Sequence, residues 1–388
     1  MNVVSRLGNI TPSVTLEITN RAKALKGKGV DIVSFAAGEP DFDTPVHIRN
    51  AAKAAIDSGK TRYTSARGMA ELIEAVREKF KRDNDLDYSA ASIVISCGAK
   101  HSLFNAFQAV CSRGDEVIVP APYWITYPEQ IRLSGAEPVY LATEESQGYG
   151  IDREKLESLV TARTRAILVC SPCNPTGAAY GREDLEFIAE LACRYDLTLI
   201  SDEIYEKLVF DGFKALSLAS LGQEIKDRTI VINGLSKTYA MTGWRIGYLA
   251  APENVAKAIA GLQSHTTSNP ATPSQYAALA ALAGDQSCVE EMRQAFGERR
   301  DLMVERLNRI PGISCTVPRG TFYAFPNVSG LGKSSLELAS ELLDQARIAV
   351  VPGIGFGTDT NIRMSFTDSM ENLERGLDRL EDYVKNLG

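Results

Sequence analysis

The sequence predicts an α/β protein: a large domain whose mostly parallel sheet is sandwiched by helices, with a smaller α+β domain beside it. Three observations carry this. At 388 residues the chain exceeds one domain of roughly 150 residues more than twofold. From about residue 93 short β-branched runs alternate with amphipathic helical stretches, the pattern of buried parallel strands covered on both faces. Beyond about residue 253 the pattern changes to long helical stretches followed by a few very short strands.

In chain order, IVIS (93–96), EVIVP (116–120), PVYL (138–141), RAILVC (165–170), LTLIS (197–201), TIVIN (229–233) and RIGYLA (245–250) read as strands. The stretches KHSLFNAFQAVC, REKLESLV and REDLEFIAELACRY between them read as helices, and YWITYPEQIRL is left as a connecting segment. Past residue 253 come the alanine-rich QYAALAALAG, read as a packed helix, and the long EMRQAFGERRDLMVERLNRI. Short strands follow at FYAF, IAVV and IRMSF, with a last amphipathic helix from about 369 to 386. The expected division is 1–43 as an N-terminal arm and part of the small domain, 44–290 as the large domain and 291–388 as the small one.

Composition excludes several classes. With 42 Lys+Arg against 49 Asp+Glu the net charge is -7, so no basic field gathers polyanions, and nucleic acid is not an expected partner. Charged residues interrupt every apolar run well below about 18 residues, so no membrane contact or secretion signal is expected. The seven cysteines, at 97, 111, 170, 173, 193, 288 and 315, are odd in number and scattered. That is the pattern of reduced thiols in a cytoplasmic protein.

Several motifs are decoys. Gly59-Lys60-Thr61 and Gly332-Lys333-Ser334 imitate the end of a phosphate-binding loop, but Ala54 and Asn327 stand where its first glycine is needed. Gly353-Ile354-Gly355-Phe356-Gly357 precedes a strand rather than a helix, and reads as a turn. Cys170-Ser171-Pro172-Cys173 has redox spacing, but Asn174-Pro175 follows at once, so no helix starts there to stabilise a thiolate. His47, His101 and His265 show no metal spacing, and no metal is expected. Asn327-Val328-Ser329 is a glycosylation sequon only for a secreted protein.

The informative residues lie where predicted strands end, the place where open α/β sheets bind ligands. RAILVC ends in SPCNPTG, LTLIS in DEIY, TIVIN in GLSKTYAMTGWR, and IVIS in CGAK at a helix start. Singly, each has a structural reading as a turn, a helix cap or a surface lysine. Together, NPTG, SDEIY, SKTYAMTGWR and IRMSF resemble the class I aminotransferases of the pyridoxal-phosphate fold-type I superfamily, closest to the bacterial-type aspartate aminotransferases of subgroup Ib. The resemblance runs from AAGEPDFDTP (36–45) through GKTRY (59–63) and APYW (121–124) into the C-terminal domain.

The resemblance implies the cofactor pyridoxal 5'-phosphate and a role for each matching residue. Lys237 holds the cofactor's aldehyde and moves the proton between substrate Cα and cofactor C4′. Asp202 sets its carboxylate against the ring nitrogen so that the ring stays protonated. Tyr205 and Asn174 donate to the phenolic oxygen, and Trp124 stacks on the ring. Gly98, Ala99 and Lys100, opening a helix, bind the phosphate with Arg245. Arg363 takes the substrate α-carboxylate, with Gly38 brought close by backbone, while Lys100 takes a distal carboxylate. Tyr63 reaches the neighbouring subunit's phosphate, which implies a homodimer with shared sites.

The implied reaction moves an amino group between aspartate or glutamate and a 2-oxo acid. Prephenate is a further candidate, suggested by Thr15 and Lys100. The alternatives are another aminotransferase or a β-lyase on the same scaffold, or a ligand-sensing module without catalysis. Three positions depart from the family pattern. Gly234 stands where a phosphate-binding serine is common, TSARG after Tyr63 lacks a usual proline, and Thr321 replaces an alanine, with an effect expected on local packing only.

Overall fold

The computed structural model describes residues 14–387. In chain order, α1 (Val14–Gly27), β1 (Val33–Ser34), α2 (Val46–Asp57) and α3 (Ala70–Asn84) precede the alternating region. That region comprises β2 (Ile93–Ser96), α4 (Ala99–Val110), β3 (Glu116–Ala121), α5 (Thr126–Ser134), β4 (Glu137–Ala142), α6 (Arg153–Ser158), β5 (Thr164–Cys170), α7 (Arg182–Arg194), β6 (Thr198–Asp202), α8 (Gln223–Lys226), β7 (Thr229–Gly234) and β8 (Gly247–Ala250). After it come α9 (Glu253–Ser264), α10 (Thr272–Ala283), α11 (Ser287–Leu307), β9 (Tyr323–Ala324), α12 (Ser335–Glu341), β10 (Ile348–Ala349), β11 (Val351–Pro352), β12 (Ile362–Ser365) and α13 (Met370–Lys385).

Seven strands form one sheet in the order β2-β8-β7-β6-β5-β3-β4. All neighbours are parallel except β8, which is antiparallel to both β7 and β2. Because β8 reverses direction twice over, β2 runs the same way as β5, β6 and β7. Ser96, Cys170, Asp202 and Gly234 therefore end on one edge of the sheet. Every residue of β2, β7 and β8 is buried, as a sheet covered on both faces requires.

Alternate residues feed opposite cores. Ile93 and Ile95 pack with Phe80 of α3 and Ala278 of α10, whereas Val94 packs with Phe107 of α4 and Ile259 of α9. The alanines of QYAALAALAG are thus a packed face, as the sequence predicts. The segment around YWITYPEQIRL is helical as α5. β8 begins at Gly247, two residues later than RIGYLA predicts, because Arg245 adopts a left-handed backbone with φ 55°.

A second core lies outside this sheet. Three antiparallel strands, β11-β12-β9, and the parallel pair β1-β10 pack against α11 and α13. Phe296, Met303 and Leu307 of α11 and Leu373, Leu377 and Leu380 of α13 meet Val33, Phe35, Phe322 and Phe366 there. The N-terminal segment thus shares its core with the C-terminal elements. Tyr205, Leu208 and Phe210, just after β6, enter the same core and tie it to the edge of the large sheet. Gly353–Phe356 form one 3₁₀ turn between β11 and β12, consistent with the sequence reading of a turn. No helix among the described residues is long and apolar enough to cross a membrane.

Candidate active site

A cavity of about 730 Å³ opens between the strand ends and the second core. It collects Gly38, Ala99, Lys100, Trp124, Asn174, Asp202, Tyr205, Lys237, Arg245 and Arg363, so ten of the twelve residues singled out from the sequence share one wall. Gly98 lies just behind it. Tyr63 does not line it, and its side chain is 89% exposed. Thr15 lies outside the residues whose side chains are described.

Lys237 follows β7 by three residues, and its Nζ donates to the carbonyl oxygen of Gly38. Its side chain is half-buried and lines the cavity. This burial, reinforced by the positive charges of Arg363, Arg245 and Lys100 and opposed by Glu39, lowers its pKa to about 8. About a tenth of the amine is therefore free at pH 7, against fewer than one in a thousand for an ordinary lysine. Gly234, at the end of β7, lies opposite Gly247 of β8. A Cβ at Gly234 would stand 3.1 Å from the Gly247 Cα and 3.2 Å from the Ile246 carbonyl oxygen. A serine there would require the facing strand to give by a few tenths of an ångström, and the hydroxyl on the cavity wall is that of Ser236.

Asp202 ends β6 and is 3% exposed. Burial pushes its carboxyl up to about 6, against the hydrogen bonds that it accepts. Those come from Tyr127 Oη, at 2.7 Å to Oδ2, and from the Ile204 N–H, at 3.3 Å to Oδ1. Tyr127 is 1% exposed, and its ring meets Trp124 edge-on at 5.4 Å. The sequence reading missed Tyr127. Its signal was the Trp-x-x-Tyr spacing at the start of α5, which puts both rings on one helical face.

Arg245 and Gly98 form a single feature. Arg245 donates to the carbonyl oxygens of Thr242 at 2.8 Å and Cys97 at 3.4 Å. Gly98 caps α4 with φ 90°, and a Cβ there would fall 3.0 Å from the guanidinium carbon. Only glycine allows both this backbone and this approach. The first N–H groups of α4, which have no acceptor within the helix, thus adjoin a guanidinium, and the pair suits a phosphate dianion.

Arg363 projects from β12 and is 3% exposed. It donates to Asn174 Oδ1 at 3.1 Å and to the Ala36 carbonyl oxygen at 3.4 Å, and its carbon lies 4.2 Å from the Tyr323 ring centroid. Its buried Nε has no partner, an orphan donor suited to an incoming carboxylate. Asn174 keeps Nδ2 as a donor. Tyr205 Oη donates to Tyr323 Oη at 3.3 Å. Thr321, buried with φ 68°, accepts the Tyr323 N–H at 3.1 Å, so it does more than pack: it steadies the ring under Arg363. Lys100 Nζ lies 4.8 Å from the Trp124 ring centroid, and burial lowers its pKa.

The donor set can hold a flat, phosphorylated, electrophilic ring: an anion cradle at α4 and Arg245, a buried carboxylate for a ring nitrogen, an aromatic face and a partly neutral amine. Among the described residues no group of His, Cys, Asp or Glu could hold a metal ion. Cys170 and Cys173 are both buried free thiols.

Comparison with known proteins gives a concordant result. Residues 30–380 match the family model described as aminotransferase class I and II. An aspartate aminotransferase of Geobacillus stearothermophilus is 44% identical over 390 aligned residues, covering 99% of each chain. A probable aspartate/prephenate aminotransferase of Aquifex aeolicus is 45% identical, again over 99% of each. Among solved structures, the Rhizobium meliloti aspartate aminotransferase superposes with a TM-score of 0.96 at 41% identity, covering 99% of both chains. The Thermus thermophilus aspartate aminotransferase with maleate gives 0.95 at 40%, covering 98% of this chain and 99% of that one.

Proposed function

The chain belongs to the class I and II aminotransferases, and from that premise we propose that it exchanges the amino group of aspartate or glutamate with 2-oxoglutarate or oxaloacetate. The enzyme depends on pyridoxal 5'-phosphate, which supplies an electron sink conjugated to the substrate Cα. The observation that carries the substrate reading is that two cationic side chains besides Arg245, those of Arg363 and Lys100, line the same cavity as the Lys237 amine. Both therefore face the reacting space, one suited to each carboxylate of a dicarboxylic amino acid. Relatives named for aspartate support the same reading.

In this mechanism Arg363 fixes the α-carboxylate through its unpartnered Nε, and Asn174 keeps the guanidinium oriented. Lys237, its pKa lowered to about 8, would take the substrate Cα proton in its free-amine form and carry it two bonds along, to the C4′ position of the cofactor. Asp202 would hold a positive charge on the ring nitrogen, and the Tyr127 hydroxyl favours the ionised carboxylate. Asn174 Nδ2, and Tyr205 Oη on turning from Tyr323, would donate to the phenolic oxygen, and Trp124 would cover one ring face. The backbone N–H groups of Ala99 and Lys100 beyond the Gly98 cap, with Ser236 and Arg245, would hold the phosphate.

The exposed Tyr63, outside its own cavity, supports a homodimer in which it completes the neighbour's phosphate site. The division at residues 43 and 290 belongs to the same proposal, and so does the cytoplasm as compartment, which the seven free cysteines support. Prephenate is a candidate further acceptor, given relatives named for it. A screen in which single amino acids convert the bound cofactor, followed by its absorbance, tests the reading. Aspartate and glutamate should react fastest, and equal or faster conversion by neutral amino acids would refute it.

A further inference from the structure

The wall of the cavity extends beyond the residues used so far. Ala22, Lys23 and Lys26 of α1 also line it. Their spacing puts all three on one helical face. Ala22 is buried, while the two lysines keep their side chains exposed. The helix is firmly placed. Ile18 and Ala22 pack with Leu343, Val351 and Phe356, and Arg21 donates from Nη2 to both Asp344 carboxylate oxygens, at 2.6 and 2.8 Å, and from Nη1 to Ser340 Oγ at 3.2 Å. Two ammonium groups are thus carried at the rim of the site by a helix fastened to the second core.

The charge balance there opposes that of the chain. The protein carries a net charge of -7, yet among the described residues the cavity wall bears six Lys or Arg side chains against three carboxylates, Glu39, Asp202 and Asp368. Asp202 is committed to the cofactor. Glu39 accepts from Thr242 Oγ1 at 2.7 Å, and Asp368 accepts from the Ser369 N–H and Asn372 Nδ2, each at 2.8 Å. A concave, low-dielectric wall with an excess of one sign focuses potential and raises the capture rate of oppositely charged ligands.

We propose that Lys23 and Lys26 form a cationic lip that selects for dicarboxylates, drawing in substrates with a second negative charge before Arg363 and Lys100 seat them. The proposal rests on the dicarboxylate reading above. Such selection acts at a distance, so it fades once the screening length, about 10 Å at 0.1 M salt and about 3 Å at 1 M, becomes shorter than the approach path.

The test uses the holoenzyme and the Lys23→Gln/Lys26→Gln double variant, with 2-oxoglutarate (two negative charges) and pyruvate (one) as amino acceptors. At low ionic strength kcat/KM for 2-oxoglutarate should fall about three- to ten-fold in the variant, and that for pyruvate by less than about two-fold; near 1 M salt the variant and the parent should converge. Succinate binding, read by calorimetry, should weaken in the variant with the same salt dependence. Lys23→Arg/Lys26→Arg should behave as the parent. An unchanged salt dependence, or an equal loss for both acceptors, would overturn the lip. If the parent itself fails to prefer 2-oxoglutarate over pyruvate at high salt, where the lip is silent, the dicarboxylate reading fails instead.

Discussion

Replacing Tyr127 by Phe removes a single oxygen at the hydrogen bond that matters most to Asp202. The carboxylate has two partners, Tyr127 Oη at 2.7 Å and the Ile204 N–H at 3.3 Å, and burial already holds it at about 6. A hydrogen bond to a charged group is worth about 1.5–3 kcal/mol, and one pKa unit is about 1.36 kcal/mol. Losing it should therefore raise Asp202 by about one to two units, into the physiological range. The phenyl ring keeps its edge-on contact with Trp124, so thermal unfolding of the variant should stay near that of the parent. The assay is the dissociation constant of pyridoxal phosphate from the cofactor-free protein between pH 5 and 9. Parent affinity should weaken as pH falls through about 6, and the variant's should weaken one to two units higher, with the two agreeing at pH 9. Coincident profiles would show that Tyr127 does not govern the ionisation of Asp202.

Three further outcomes are expected. Lys100→Ala should lower kcat/KM for aspartate and glutamate by roughly thirty- to a thousand-fold, since a distal carboxylate would lose its countercharge, while alanine or phenylalanine is spared; equal losses would assign Lys100 to the cofactor alone. Lys237→Met should stabilise the cofactor-free protein at pH 7 by about 1–3 kcal/mol. The folded pKa of Lys237 lies below its ordinary value, so holding it charged opposes folding below about pH 8, and the gain should vanish as pH rises through about 10.5; a gain independent of pH would refute this origin. Mixing the Tyr63→Phe/Arg245→Ala double variant with Lys237→Ala should restore part of the activity through hybrid dimers, whereas hybrids confirmed by mass and still inactive would exclude a shared site.

The sequence disclosed what depends on local pattern. Asp202 ends a β-branched run, Gly98 stands between a strand and a helix, and Lys237 follows TIVIN by four residues. Each position marks the sheet edge that the alternation of strands and helices predicts. What escaped depends on pairs distant along the chain. Arg363 and Asn174 are 189 residues apart, and nothing local says that one orients the other. Tyr127 went unnoticed because a buried hydroxyl declares itself only through its partner, 75 residues away. Gly234 read as a missing phosphate ligand, although its register partner Gly247 also lets the two strands approach closely there. Nothing local to Lys23 and Lys26 says that their helix borders the cavity.

The two principal titrating groups are each held away from their ordinary state, in opposite directions. Burial raises the Asp202 carboxyl and lowers the Lys237 amine, so each disfavours its own charged form. Each shift disfavours folding at neutral pH. At Asp202, a positive charge on a ring nitrogen supplies the countercharge that burial withholds. At Lys237, covalent attachment removes the need to hold an isolated ammonium among Arg363, Arg245 and Lys100. Cofactor binding thus relieves two desolvation terms at once, which is a physical reason for a site of this kind to be filled whenever the chain is folded. It also explains why the same cationic wall can afterwards hold an anionic substrate: with Arg245 committed to phosphate and Lys237 to the cofactor, Arg363 and Lys100 remain as the cations near the reacting carbon without a partner of opposite charge.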